Sequence, residues 1–223
     1  MRRRILLATL AILPAVPSLA QTPSPSAPAP SPADAAPPAS ASADPTPAPD
    51  LRMAERSLGS ADAKVVVNEW FSLTCSHCAD FQKTTFPTVK AKLIDTGRVR
   101  YAWRDFPLDQ VALAAAMISR ALPAERYEAF ITTLLATQDR WAFARGVNST
   151  EELAKIAALA GMPRKTFDAT LADEGLRMAI LNAQDEADKV LKVASTPTFV
   201  INGRLLPGAV TFDAFDRAVT DAT

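Results

Sequence analysis

The first strong pattern along the chain is a continuous run of β-branched and aromatic side chains. Residues 64–74 contain Val65-Val66-Val67 followed by Trp70 and Phe71, so both faces of this segment are apolar. Such a run is typical of a strand buried inside a sheet. Residues 99–104 predict a second strand. Between them the apolar positions lie three and four residues apart, as in a helix, so the three segments together predict a βαβ unit.

The middle of the chain has the spacing of helices. Apolar positions recur at helical intervals through residues 109–193, which predicts a helical insertion between two halves of a sheet. Ser149 and Glu152 have the spacing of a capping box, so a helix is expected to begin there. Pro87 is expected to kink the earlier helix, between the two strands, because proline lacks the N–H that a helix interior needs.

Strand character returns near the end of the chain. Residues 198–201 and 204–206 flank an Asn202-Gly203 turn, and a last helix is predicted over residues 212–220 with Thr211 as its N-cap. The complete order is βαβ, helical insertion, ββα. This order predicts an α/β fold in which helices flank a central sheet.

The first twenty residues have the pattern of a signal peptide. Arg2-Arg3-Arg4 precede a short apolar run over residues 5–16, and small residues near Ala20 suit cleavage before Gln21. The alternative is an uncleaved membrane anchor, but Pro14 and other breaks leave the run shorter than the ~20 apolar residues that a helical span needs. Export is therefore expected, by either the general or the twin-arginine route.

Residues 21–50 form a Pro/Ala/Ser-rich segment without any aromatic, Leu, Ile or Val side chain. Such a segment cannot bury enough apolar surface to offset the entropy of ordering, so a disordered linker is expected. It serves either as a spacer or as a leader without a specific role. Residues 51–223 are long enough for one domain with a real core. Without Arg2 to Arg4, 21 of the 24 basic residues remain against 24 acidic ones, and no basic run stands out, which argues against nucleic acid as a partner.

The chain has two cysteines, and both lie in the motif Cys75-Ser76-His77-Cys78. A structural zinc site is excluded as an interpretation because zinc needs four ligands and the sequence offers no second pair. A static disulfide would close a very small loop and constrain the unfolded chain little. Two inert core cysteines would leave the spacing unexplained. The pattern therefore favours a redox pair, with no metal and no further cofactor.

The position of the motif predicts different roles for its residues. A helix that begins near Cys75 directs unpaired N–H groups and the positive end of its dipole at this sulfur, and both stabilise a thiolate. Cys78, one turn further along, is expected to be the buried resolving thiol. His77 is expected to tune the pair by charge or hydrogen bonding. Glu69, within the apolar strand, is either a buried acid that exchanges a proton with a buried thiol or a strand-end carboxylate that reaches water.

These motifs together resemble a known family. The segment VVVNEWFSLTCSHCADF, residues 65–81, is similar to the first strand and active-site helix of the DsbA-like branch of the thioredoxin superfamily. The resemblance implies a catalytic role for Glu69. It also matches Thr196-Pro197 to the family's substrate-binding cis-proline motif, and residues 104–109 to the segment after the second strand. Ser76 stands where the most oxidising members carry proline, so the direction of transfer stays open.

The resemblance implies a thioredoxin-like fold, with a central mixed sheet flanked by helices and an inserted helical subdomain at about residues 109–193. It implies a monomeric periplasmic enzyme that introduces disulfide bonds into unfolded or reduced exported proteins. A membrane partner resembling DsbB would reoxidise it. The alternatives are an isomerase or reductase of the same fold, and a non-catalytic binding or chaperone module with a static disulfide.

Overall fold

The computed structural model describes residues 50–223. The predicted signal peptide and all but the last residue of the predicted linker lie outside the described residues. Within residues 50–223 the chain forms five strands, nine α-helices, a 3-10 helix at Leu51–Met53 and a π-helical turn at Lys90–Ile94. The strands are β1 (Arg56–Leu58), β2 (Val65–Phe71), β3 (Val99–Asp105), β4 (Thr198–Ile201) and β5 (Arg204–Pro207). The helices are α1 (Ser76–Thr84), α2 (Phe86–Val89), α3 (Gln110–Ala121), α4 (Ala124–Ala136), α5 (Gln138–Trp141), α6 (Ser149–Leu159), α7 (Arg164–Leu171), α8 (Glu174–Lys189) and α9 (Phe212–Thr220).

The strands form one mixed sheet in the order β1-β3-β2-β4-β5. Strands β2 and β3 are parallel, and the other three pairs are antiparallel. The central position of β2 explains why its sequence is apolar on both faces, since neighbouring strands and helices cover it on all sides. The predicted α/β fold with a mixed sheet is confirmed, and α3 to α8 are the helices that the structure places between β3 and β4.

The two faces of the sheet carry separate apolar clusters. On one face, Val67 and Phe71 of β2 belong to the main core, in which the ring of Phe81 from α1 lies 4.6 Å from that of Phe199 in β4. On the other face, Trp70 packs edge-on against Phe106 at 6.5 Å, in a cluster that includes Ala187 of α8. Helix α1 therefore lies on the same face as the odd-numbered residues of β2.

Of two predictions about the helices, one is confirmed and the other is wrong. The break expected near Pro87 is confirmed, because α1 ends at Thr84 and Pro87 lies in the first turn of α2, which continues into a π-helical turn at Lys90–Ile94. The capping box at Ser149 and Glu152 is wrong. The side chain of Asn148 accepts hydrogen bonds from the backbone N–H groups that follow it, so Asn148 is the N-cap. Asparagine caps a helix as well as serine does.

In the part of the chain that the structure describes, every helix is too short or too polar to cross a membrane.

Candidate active site

The loop between β2 and α1 places the cysteine motif at the start of a helix. Cys75 is the N-cap residue of α1, and its backbone N–H donates to the carbonyl oxygen of Ser72 at 3.1 Å. Asp109 connects this loop to α3. One of its carboxylate oxygens caps α3, and the other accepts a hydrogen bond from the Thr74 hydroxyl at 2.7 Å. The loop is therefore fixed against the helical insertion.

Gln138, from α5 of the insertion, binds the same loop. Its side-chain amide donates to the carbonyl oxygens of Leu73 at 2.9 Å and of Cys75 at 3.1 Å. All of these groups are buried. Sequence reasoning missed Gln138, because it lies 63 residues from Cys75 and in no motif.

The two cysteines differ in exposure. Cys75 is 8% exposed and Cys78 is 0% exposed, and both are free thiols in this structure. The Cys75 thiol donates to the carbonyl oxygen of Thr196 at 3.3 Å. A substrate sulfur approaching from solvent can therefore reach Cys75 but not Cys78.

The surroundings of Cys75 favour its thiolate. A hydrogen bond from the Cys78 thiol, together with the Thr196 side chain and the backbone N–H groups of Cys78 and His77, lowers the pKa of Cys75 to about 5, against burial, which raises it. The backbone contributions come from the first turn of α1, where N–H groups have no helical acceptor. At neutral pH this sulfur is an ionised nucleophile.

The surroundings of Cys78 have the opposite effect. Burial, followed by the hydrogen bond to Cys75 and the negative charges of Glu69 and Cys75, raises the pKa of Cys78 far above its usual value. Cys78 is therefore a protonated thiol when Cys75 is ionised. Cys78 therefore attacks as a nucleophile only if a nearby group takes its proton, and departs as a leaving group most readily if a nearby group supplies one.

Glu69 is a buried carboxyl on the sheet face that α1 covers. It is 2% exposed, and Tyr101 of β3 donates a hydrogen bond to its Oε2 at 2.7 Å. Burial raises the pKa of Glu69 to about 7; the Tyr101 hydrogen bond works against this rise, and the charge of Cys75 adds to it. The strand-end carboxylate that reaches water is therefore the wrong interpretation; the carboxyl is buried, and its proton exchange with a thiol stays a prediction.

The loop before β4 contacts the redox pair through the Thr196 carbonyl, which accepts the hydrogen bond from Cys75. The Thr196–Pro197 peptide bond is cis, and the loop is held by a hydrogen bond from the Thr198 hydroxyl to the Ser195 carbonyl at 2.7 Å. The carbonyl of Pro197 accepts from the Gly208 N–H at 2.8 Å. The Thr196 hydroxyl is buried and has no hydrogen-bond partner among the described residues while Cys75 is a thiol. It is therefore free to donate to the Cys75 thiolate, which is its contribution to the low pKa of Cys75.

The structure thus brings together Glu69, Cys75, Cys78 and Thr196-Pro197. Ser76 and His77 have exposed side chains on the first turn of α1. His77 acts on Cys75 through its backbone N–H. No cluster of three or more metal-binding side chains occurs among residues 50–223.

A separate cleft of about 630 Å³ lies on the other face of the sheet. Asn68, Trp70 and Val200 line it from the sheet, and Ala183 and Ala187 line it from α8. None of the residues of the redox site lines this cleft.

Comparison with known proteins agrees with the fold and the site. The family model described as Thioredoxin matches residues 52–221. A Rickettsia bellii protein named as a protein-disulfide oxidoreductase is 32% identical over 147 residues, which are 66% of this chain and 56% of that protein. The crystal structure of Wolbachia pipientis alpha-DsbA1 is 30% identical with a TM-score of 0.70, over 76% of this chain and 91% of that chain. BdbD from Bacillus subtilis, at 20% identity and a TM-score of 0.67 over 75% of this chain and 92% of its own, shares the fold.

The structure has a cysteine pair at the start of a helix that packs on a mixed sheet, and the similarities agree with this arrangement. The chain belongs to the thioredoxin family. Within it, the similarity to alpha-DsbA1 places the chain among the DsbA-like thiol–disulfide oxidoreductases, which confirms the resemblance noted from the sequence. The chain spans a little over half the length of the Rickettsia relatives that it matches.

Proposed function

We propose that this chain is a protein-disulfide oxidoreductase that introduces disulfide bonds into exported proteins through the Cys75–Cys78 pair. The observation that carries the proposal is the contrast between the two sulfurs: Cys75 has a pKa of about 5 and some exposure, and Cys78 is buried with a raised pKa. Stabilising the thiolate of the reduced pair makes the corresponding disulfide a stronger oxidant.

The reaction begins with the pair oxidised. A substrate thiolate attacks Sγ of Cys75; a new sulfur–sulfur bond forms, the Cys75–Cys78 bond breaks, and Cys78 leaves with the electron pair and takes a proton. A second thiolate of the substrate then attacks the substrate sulfur of the mixed disulfide. The substrate leaves with a disulfide, and Cys75 leaves as a thiolate. The substrate is oxidised and the enzyme pair is reduced, by two electrons each.

Thr196 and Pro197 are proposed to hold the substrate. The Thr196 carbonyl lies 3.3 Å from Sγ of Cys75, so an extended chain bonded to this sulfur runs beside the Thr196 backbone. Backbone pairing of this kind gives affinity without sequence preference, which suits an enzyme with many unfolded clients. Ser76 and His77 lie between the two cysteines, with exposed side chains. His77 is proposed to tune the reactivity of the pair, and Ser76 to moderate its oxidising power.

The site uses only protein sulfur, so we propose no cofactor beyond the Cys75–Cys78 disulfide. The proposed location is the periplasm, after cleavage of residues 1–20, with residues 21–50 as a spacer. A membrane protein resembling DsbB is proposed to reoxidise the pair, and the enzyme is proposed to act as a monomer.

An isomerase or reductase of the same fold is the second candidate, and the residue that favours it is Ser76 in place of proline. Equilibration of the purified protein with glutathione measures its reduction potential. A potential near that of strong oxidants, about −120 mV, together with rapid oxidation of a reduced unfolded protein, supports the oxidase. A potential near about −270 mV with insulin reduction supports the reductase. A protein inactive in both assays would be the static-disulfide module.

A further inference from the structure

The buried acid of the site has one hydrogen-bond donor whose role the reaction above leaves open. The hydroxyl of Tyr101 lies 2.7 Å from Oε2 of Glu69, and the two residues are 0% and 2% exposed. In the parallel register of β2 and β3, Tyr101 is opposite Val67, so Glu69 is its diagonal neighbour on the same face. The ring of Tyr101 is fixed by Phe86 at 5.2 Å and Trp103 at 5.6 Å between ring centroids.

Few ionisable groups face this carboxyl. Cys75 and Cys78 approach from α1, Tyr101 from β3, and the more distant Tyr127 from α4. Burial and the charge of Cys75 favour the protonated carboxyl, and Tyr101 is the group that favours the carboxylate. The hydroxyl therefore opposes the two effects that would otherwise keep Glu69 neutral.

We propose that Tyr101 is a positioning residue for Glu69. Its hydroxyl orients the carboxyl and stabilises the carboxylate, so that at neutral pH Glu69 can both give a proton to Cys78 and take one from it. The inference rests on the proposed function and adds a residue to its mechanism. The Tyr101 hydroxyl donates its hydrogen bond to Glu69 rather than to a reacting sulfur, and acts through this carboxyl.

The two uses of the carboxyl belong to opposite directions of exchange. When a substrate thiolate opens the Cys75–Cys78 disulfide, the electron pair goes to Cys78 and the proton of Glu69 neutralises it, leaving a carboxylate. When Cys78 instead attacks a mixed disulfide on Cys75, the Glu69 carboxylate takes the Cys78 proton, the Cys75–Cys78 bond forms, and the other thiolate leaves. A carboxyl that titrates near pH 7 serves both steps, and one that stays neutral serves only the first.

Removing the hydroxyl leaves the carboxylate without its donor. A hydrogen bond to a charged group is worth about one to two pH units of a titration midpoint. At the pH of the wild-type midpoint, the ionised share of Glu69 is therefore expected to fall from about half to a tenth or less in Tyr101→Phe, and Cys78 attack is expected to slow ~5- to 50-fold. Opening of the disulfide by a thiolate is expected to keep its rate at pH 7.

The test uses an aromatic disulfide that releases a coloured thiolate. The reduced protein releases one equivalent when Cys75 attacks the reagent and a second when Cys78 attacks the resulting mixed disulfide, so the second phase isolates the step that needs a base. Its rate is followed against pH in wild type, Tyr101→Phe and Glu69→Gln. The matched control is Tyr127→Phe, because Tyr127 is equally buried and its hydroxyl has no hydrogen-bond partner among the described residues.

The expected result is one second-phase midpoint shared by wild type and Tyr127→Phe, at or below about pH 7 because Cys75 carries no charge in the mixed disulfide. The midpoint is expected to be about one to two pH units higher in Tyr101→Phe and to be absent in Glu69→Gln. An unchanged midpoint in Tyr101→Phe overturns the proposal. If Tyr101→Phe does not fold, Glu69→Asp withdraws the carboxyl from the hydroxyl and must raise the midpoint likewise. A wild-type protein that releases no second equivalent would instead contradict the proposed function.

Discussion

The hydrogen bond between the two thiols makes the largest contribution to the low pKa of Cys75, and it can be removed without touching Cys75. In Cys78→Ala the donor is lost, while the Thr196 side chain and the backbone N–H groups of α1 stay in place. A hydrogen bond to a charged group contributes about 1.5–3 kcal/mol, or about one to two pH units. The titration midpoint of Cys75 is therefore expected to rise from about 5 to between about 6 and 7.

Cys78→Ser is the matched control, because its hydroxyl retains a donor at the same position. At pH ~6, Cys75 is expected to be about 90% thiolate in wild type and between about a tenth and a half in Cys78→Ala. Thiolate absorbance and the rate of alkylation by iodoacetamide, each followed against pH, measure this midpoint. Cys78 itself does not interfere, since its pKa is raised far above this range. Equal midpoints in the Ala and Ser variants would refute the assignment of the hydrogen bond.

Three further predictions concern stability and are checked by equilibrium denaturation. Glu69→Gln is expected to stabilise the protein by up to about 3 kcal/mol above pH ~8 and little below pH ~4. The reason is that the pKa of Glu69 is about 7 in the folded protein, against a usual value of 4.5, so the folded protein must ionise a buried carboxyl as the pH rises between these values. A difference in stability that does not depend on pH would contradict this prediction. Phe81→Ala is expected to cost about 3–5 kcal/mol, because its 1% exposed ring packs against two other rings; a cost under 1 kcal/mol would show that the core collapses around it. Gln138→Ala is expected to cost about 1–3 kcal/mol by leaving the Leu73 carbonyl without its donor, and to shift the Cys75 titration; an unchanged titration would show that the loop holds without it.

The parts of the fold that depend on local pattern could be predicted from the sequence. Strand β2 follows from its apolar run, and the helix after Cys75 follows from apolar spacing, so the position of the nucleophile at a helix N-terminus was accessible without a structure. The N-cap of α6 was not accessible, because Asn148 and Ser149 are both good capping residues; in the structure the backbone of Asn148 is extended and its side chain accepts the capping hydrogen bonds.

The parts of the site that depend on tertiary contacts could not be predicted in this way. The apolar run placed Glu69 within a strand but left open whether its carboxyl reaches water. Its burial follows from the pairing of β2 with β3 and β4, which puts Trp103 and Phe199 on either side of it. Tyr101 had no distinguishing signal among the aromatic residues of β3. Gln138 reaches the cysteine loop only because the insertion folds back onto it.

Cys75 is proposed to exchange disulfides with other proteins, and Cys78 to be the resolving thiol that attacks a mixed disulfide on Cys75 and re-forms the Cys75–Cys78 bond. The most direct test is mixed-disulfide trapping with an unfolded protein that carries a disulfide. The one remaining thiolate of each variant attacks this disulfide and releases a substrate thiolate, and non-reducing electrophoresis and mass spectrometry identify the linked peptides. Cys78→Ser is expected to accumulate adducts through Cys75, because the resolving thiol is absent, and Cys75→Ser is expected to accumulate none, because Cys78 is fully buried. Equal trapping by both variants, or adducts through Cys78 alone, would contradict the account.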